Sequence, residues 1–268
     1  MNHSVLIEIC VDSAASALAA ERGGAHRVEL CSDLVEGGIT PSAGLIETVR
    51  KKVGIPLYVI IRPRGGDFCY TADEFECMKR DVLAAKQLGA DGVVFGILNE
   101  HGQVDKVRIR ALVELARPLS TTFHRAFDMS LDLNQSLEEI IGAGMNRVLT
   151  SGGGQNAEDG IKTIVGLLAS AQDRIAIMVG GGIRETNVRR ILVETGAQEI
   201  HANVGHSVAS PMMHRNNKIS LGTVKGREYQ RVVVLQDRVA RLIHAASAKA
   251  PTHAGPDTLP SLGGVPNS

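Results

Sequence analysis

The stretch Val5-Leu-Ile-Glu-Ile-Cys10 runs through Val11-Asp-Ser-Ala14 into an alanine-rich segment, stops at Gly23-Gly24, and resumes as Arg27-Val-Glu-Leu-Cys31. Two short β-forming runs enclose one helix-length segment. Asp12-Ser13 supplies a helix N-terminal signal and the glycines a stop. This is one strand–helix unit leading into the next strand.

The same pattern recurs outward along the chain. Strands are predicted at 5–10, 27–31, 57–62, 92–97, 121–124, 147–151, 175–179 and 199–204. Helices are predicted at 13–23, 72–88, 106–117, 133–143, 160–171 and 185–194, with starts marked at Thr71-Ala-Asp-Glu74 and Thr186-Asn187. Gly89, Gly144 and Gly196 stand where a helix should end. Eight repeats of ~25–30 residues are the number that closes a parallel (β/α)8 TIM barrel. An open doubly wound sheet usually carries GxGxxG after its first strand, and the turn here reads Val11-Asp-Ser-Ala14. The barrel is assigned to residues 1–247. Residues 248–268 hold four of the nine prolines and no helical period, and are expected to form a flexible tail.

Strand side chains alternate, so one set packs on the helices and the other faces the barrel axis. Ile7, Ile9, Val28 and Leu30 suit the helix side. The inward polar set is then Glu8, Cys10, Glu29, Cys31, Arg62, His124, Ser151, His201 and Asn203. It gathers toward the C-terminal strand ends, where barrel active sites are built. Glu29–Arg62 and Glu8–His201 would be ion pairs if the set were structural.

Thr122-Phe-His-Arg-Ala-Phe-Asp128 adds an imidazole at a strand end and a carboxylate that could orient it. Ser151-Gly152-Gly-Gly154 and Gly180-Gly181-Gly-Ile-Arg184 are glycine turns whose N–H groups could cradle an anion. Glu8-Ile-Cys10 and Glu29-Leu-Cys31 place two thiols on neighbouring strands, a soft donor pair suited to Cu(I). Met212 and His201 are further candidate donors. The other outcome for such cysteines is that they pack as small hydrophobes.

Composition narrows the partners. Twenty-nine basic and 29 acidic residues cancel, so no bulk charge favours nucleic acid. No apolar run approaches the roughly 20 residues of a membrane span. The first residues lack the basic start of a signal peptide. Four cysteines without a CxxC are no disulfide framework, and a reducing cytoplasmic setting is expected.

Several segments together carry a resemblance: Glu8-Ile-Cys-Val-Asp-Ser13, Arg27-Val-Glu-Leu-Cys31, Glu36-Gly-Gly-Ile-Thr-Pro-Ser42, Ile61-Arg-Pro-Arg-Gly-Gly-Asp-Phe68, Gly89-Ala-Asp-Gly-Val-Val-Phe-Gly96, Thr122-Phe-His-Arg-Ala-Phe-Asp128, Arg147-Val-Leu-Thr-Ser-Gly152 and Gly180-Gly-Gly-Ile183. From about residue 5 to 243 the chain resembles the CutC family of copper homeostasis proteins. The resemblance implies a (β/α)8 barrel, a cytoplasmic homo-oligomer (dimer or tetramer), and copper binding, with Cys10 and Cys31 matching cysteines proposed to hold Cu(I).

Two functions follow. One is Cu(I) binding at Cys10 and Cys31. The other is an enzyme acting on a small anionic or sugar-like ligand. In it Glu8, Glu29 and His124 handle protons, Asp128 orients His124, and Arg62, Ser151, Gly152, Gly180, Gly181 and His201 hold the ligand.

Overall fold

The computed structural model describes residues 5–222 and 224–247, so the segment 248–268 lies outside the described residues. Eight parallel strands, β1 (Leu6–Val11), β2 (Arg27–Leu30), β3 (Leu57–Ile60), β4 (Gly92–Phe95), β5 (Ser120–Phe123), β6 (Arg147–Thr150), β7 (Ala176–Val179) and β8 (Glu199–Ala202), pair in sequence order. β8 closes on β1, which completes the (β/α)8 barrel.

The outer layer consists of α1 (Ala14–Arg22), α2 (Ala43–Arg50), α3 (Ala72–Gln87), α4 (Lys106–Ala116), α5 (Leu133–Gly142), α6 (Ile161–Ala171), α7 (Val188–Thr195) and α8 (Gln236–Ser247). Local chemistry fixes their starts. The Ser13 hydroxyl accepts from the Ser16 N–H, and Thr71 with Glu74 forms a reciprocal capping box. Gly89, Gly144 and Gly196 adopt positive φ at the ends of α3, α5 and α7, as placed from the sequence.

Strand parity divides the core. Ile7, Ile9, Val28, Leu30, Val59 and Ile61 pack in the layer between strands and helices. Cys10, Cys31, Tyr58, Ile60 and Val94 form a separate apolar cluster on the axis side. Burial of each large apolar side chain in the outer layer contributes about 1.5–3 kcal/mol, so the alternation is strongly enforced.

Four local features depart from the sequence reading, the first being that α8 (Gln236–Ser247) is a helix the reading did not place. α2 is only eight residues long and buries Ile46 and Val49, too short a segment for a clear helical period. A hairpin of β9 (Gly205–Ala209) and β10 (Gln230–Val234) stands between β8 and α8, and its strands pair only with each other. Its far-apart halves give no local signal. Finally, α7 begins at Val188, and Asn187 stands at its N-cap without a side-chain capping bond. That side chain instead accepts from the Arg184 N–H and donates to the Gly182 carbonyl and to Glu158, pinning the seventh loop.

Candidate functional site

Register builds the barrel interior from the bottom. Glu8 stands level with Arg27 on β2 and with His201 on β8. Its carboxylate accepts from Arg27 Nε and lies 2.7 Å from His201 Nδ1. Arg27 also donates to Glu199 at 3.0 Å, and Arg147 donates to the same carboxylate at 3.1 Å. His201 Nε2 then faces Glu29 at 3.6 Å. Charges alternate along this chain from Arg147 through Glu199, Arg27 and Glu8 to His201. Each buried ion therefore has an opposite neighbour, which is the condition for tolerating it. The Tyr58 ring lies against both arginines, 4.6 Å from Arg27 and 5.6 Å from Arg147.

Arg27, Arg147 and Glu199 were not singled out from the sequence. The signal existed, since they share parity with Glu29, Ser151 and His201. Burial works against ionising Glu8, but Arg27 and His201 outweigh it and hold the carboxyl well below the usual range. Burial likewise opposes charge on His201, while Glu29, Cys10 and Glu8 raise its pKa well above the ordinary value.

The two thiols sit at the upper end of this chain. Cys10 Sγ and Cys31 Sγ are 3.7 Å apart and both residues are buried. Cys10 is level with Glu29, and one ligand atom from each of Cys10, Cys31 and Glu29 falls within 4.8 Å of the others. Sharing of the Cys31 proton, helped by His201, lowers the Cys10 pKa to about 6, and the same bond with burial drives Cys31 up. Burial raises Glu29 to about 8. Cys10 is thus the more acidic of the two thiols, and Glu29 holds its proton more firmly than Glu8. Cys69 and Cys77 are exposed, and Met212 lies exposed in the β9–β10 connection, away from this floor.

Arg62 is buried, but Glu29 is not its partner. Its guanidinium donates to the backbone carbonyls of Glu36, Gly38 and Gly66 at 2.7–2.9 Å. The expected Glu29–Arg62 ion pair is absent, and the guanidinium is taken up by two carbonyls of the loop after β2 and one of the loop after β3. Asp128 does not orient His124 either. It accepts from Thr150 Oγ1, from Ser151 Oγ, and from the Ser151 and Gly153 N–H groups, and pairs with Arg125 at 2.8 Å. His124 Nδ1 accepts instead from the Ala126 N–H at 3.2 Å. Burial and the nearby Arg62 charge hold the His124 pKa down at about 3, so it stays neutral and cannot shuttle protons near pH 7.

The sixth glycine turn is likewise spoken for. Ser151 N–H goes to Asp128, Gly152 N–H to Thr150 Oγ1 and Gly180 N–H to the Thr150 carbonyl. Ser151 and Gly152 build the turn after β6, Gly180 continues β7 alongside it, and none of the three has an amide free for an anion. Gly181 does line the cavity, at φ 96°, where a Cβ would meet Ser151 and Arg125.

That cavity has a volume of about 500 Å³ and reaches Cys10 but not Cys31. Its lining includes Cys10, Glu29 and His201, the neighbouring Arg62, Phe68 and His124, and Arg125, Gly181, Gly182 and Arg184. The size and the mix of apolar and polar walls are those of a small-molecule site.

The CutC family model matches residues 5–206. The chain is 51% identical over 217 residues to the mouse copper homeostasis protein cutC homolog, covering 81% of this chain and 80% of the relative. It is 47% identical over 240 residues to a family protein CutC of Bacteroides thetaiotaomicron, covering 89% and 96%. Among solved structures, a CutC protein from Streptococcus agalactiae superimposes with a TM-score of 0.70 at 36% identity, covering 74% of this chain and 97% of the other.

Proposed function

The chain belongs to the CutC family, and on that premise we propose that it binds Cu(I) through the thiolates of Cys10 and Cys31 as a copper homeostasis protein. The 3.7 Å separation of the two sulfurs carries the proposal. With metal–sulfur bonds of about 2.3 Å, two sulfurs at that distance bind one ion in a bent arrangement that leaves room for a third donor. Glu29 is next to the pair and would serve on losing its proton. Soft sulfur donors favour Cu(I) over harder ions. Cys10 ionises more readily than Cys31, and Cys31 must give up its proton to bind, so uptake releases protons and weakens as the pH falls. Thiolate ligation suits a reducing cytoplasmic setting, and a homo-oligomer fits the family resemblance. No helix among the described residues is long and apolar enough to cross a membrane.

The test is a Cu(I) titration against a competing chelator under reducing conditions. Cys10→Ser with Cys31→Ser should abolish stoichiometric binding, while Cys69→Ser with Cys77→Ser should leave it intact. Equal loss from both pairs would reduce the signal to general thiol chemistry.

A second function is favoured by the cavity itself, because an ion between two sulfurs does not require about 500 Å³ of lined space. Perturbed titratable groups in a cleft mark sites of chemistry. We propose that the same mouth also serves an enzyme acting on a small anionic metabolite, with Glu29 as proton donor and Cys10 as proton acceptor. An unbiased metabolite screen for thermal stabilisation, run with and without Cu(I), separates the two, since a ligand that binds only the native state raises its stability.

A further inference from the structure

Among the described residues, three buried side-chain polar atoms have no hydrogen-bond partner, Arg62 Nε, His124 Nε2 and the Tyr70 hydroxyl, and of the three residues only Arg62 and His124 line the cavity. His124 Nδ1 accepts from the Ala126 N–H, so the neutral ring carries its proton on Nε2, and Nε2 has no hydrogen-bond partner. Arg62 Nε is also unpartnered, although the same guanidinium makes three carbonyl bonds. Arg62 is 6% exposed and His124 is 5% exposed. No carboxylate among the described residues pairs with Arg62, so its buried charge has no counter-ion. Buried donors and charges left in this state are costly and rare.

The two side chains share one neighbour. The Phe68 ring centroid lies 5.1 Å from the Arg62 guanidinium carbon and 4.9 Å from the His124 ring. All three residues line the cavity.

We propose that Arg62 Nε and His124 Nε2 form a donor pair that binds the carboxylate of a small organic acid, with Phe68 packing beside it. The proposal rests on the small-molecule reading of the cavity and adds the ligand class. One fixed positive charge and two N–H donors match a planar, singly charged, two-oxygen group. Phosphate is the competing anion, because Arg125 and Arg184 line the same cavity, and it is therefore included among the probes. His124 is thereby a binding residue and not an acid–base group. Its suppressed basicity serves that role, since a neutral imidazole keeps the Nε2 proton in place for an incoming oxygen.

The test uses acetate, malonate, succinate and inorganic phosphate as probes on the full-length protein. Thermal shift and calorimetry measure binding, and NMR of 15N-histidine-labelled protein follows His124. At least one carboxylate should bind and move the His124 Nε2–H resonance while Nδ1 stays unprotonated. His124→Phe, which keeps a ring but removes the donor, should weaken binding at least tenfold, and Arg62→Gln should do the same. The NMR shift in the unmutated protein decides the matter even if a variant fails to fold. Carboxylates that bind without moving His124, or that bind both folded variants as tightly, overturn the donor pair while the cavity remains a small-molecule site. Phosphate bound in preference to every carboxylate overturns the ligand class. If none of the probes binds but the metabolite screen finds a ligand, the carboxylate assignment fails alone; if both are silent, the small-molecule reading fails with it.

Discussion

At the scale of single residues, burial moves neighbouring groups of this cavity in opposite chemical directions. Both Glu29 and His124 lose charge, one by holding its proton to about pH 8 and the other by refusing a second proton until about pH 3. His124 has a depressed folded-state pKa, so the unfolded chain takes up a proton below about 6.5 that the native protein does not. Its contribution to stability is present above that value and is lost as the pH falls toward 3, by up to about 1.4 kcal/mol per pH unit. The stability difference between the natural protein and His124→Gln should therefore shrink steadily over that window in urea unfolding measured from pH 7 to pH 4. A constant difference would mean that His124 titrates normally.

At the scale of elements, the strand ends and loops decide which side chains reach the cavity. β4 ends at Phe95, and the following Gly96 leaves room for the His124 ring: a Cβ there would stand 2.7 Å from His124 Nδ1 and 3.0 Å from the Ala126 Cβ. Gly96→Ala should cost about 1–3 kcal/mol through overpacking and should weaken carboxylate binding, read by chemical denaturation and calorimetry. Unchanged stability would show that the ring has space to move aside. Asp128 illustrates the same dependence. The sequence places it four residues after His124 and suggests a pair. The short turn at Phe127–Met129 carries its carboxylate to the sixth loop, where four donors converge on it. Spacing within one loop says little about which neighbouring loop a side chain will meet.

At the scale of the whole molecule, eight strands and eight helices are complete within residues 5–247, and α8 buries Val239, Leu242 and Ala246. A chain ended after Ser247 should melt within a few degrees of the full chain and bind Cu(I) equally, as calorimetry and titration would show. A large drop in melting temperature would assign residues 248–268 a part in the fold.

The sequence by itself determined the eight strands, six of the eight helices, the barrel, and the inward parity of Glu8, Cys10, Glu29, Cys31, Arg62, His124 and His201. Those follow from local periodicity, which burial enforces on every strand. Only the tertiary structure decided the partners: that Glu8 joins Arg27 and His201, that Arg62 takes loop carbonyls and leaves Nε unpaired, and that Ser151 and Gly152 turn to Asp128 and Thr150. The physical reason is that parity fixes which way a side chain points. Register, barrel closure and loop path then set the few ångströms that make a contact, and those are properties of segments far apart in the chain.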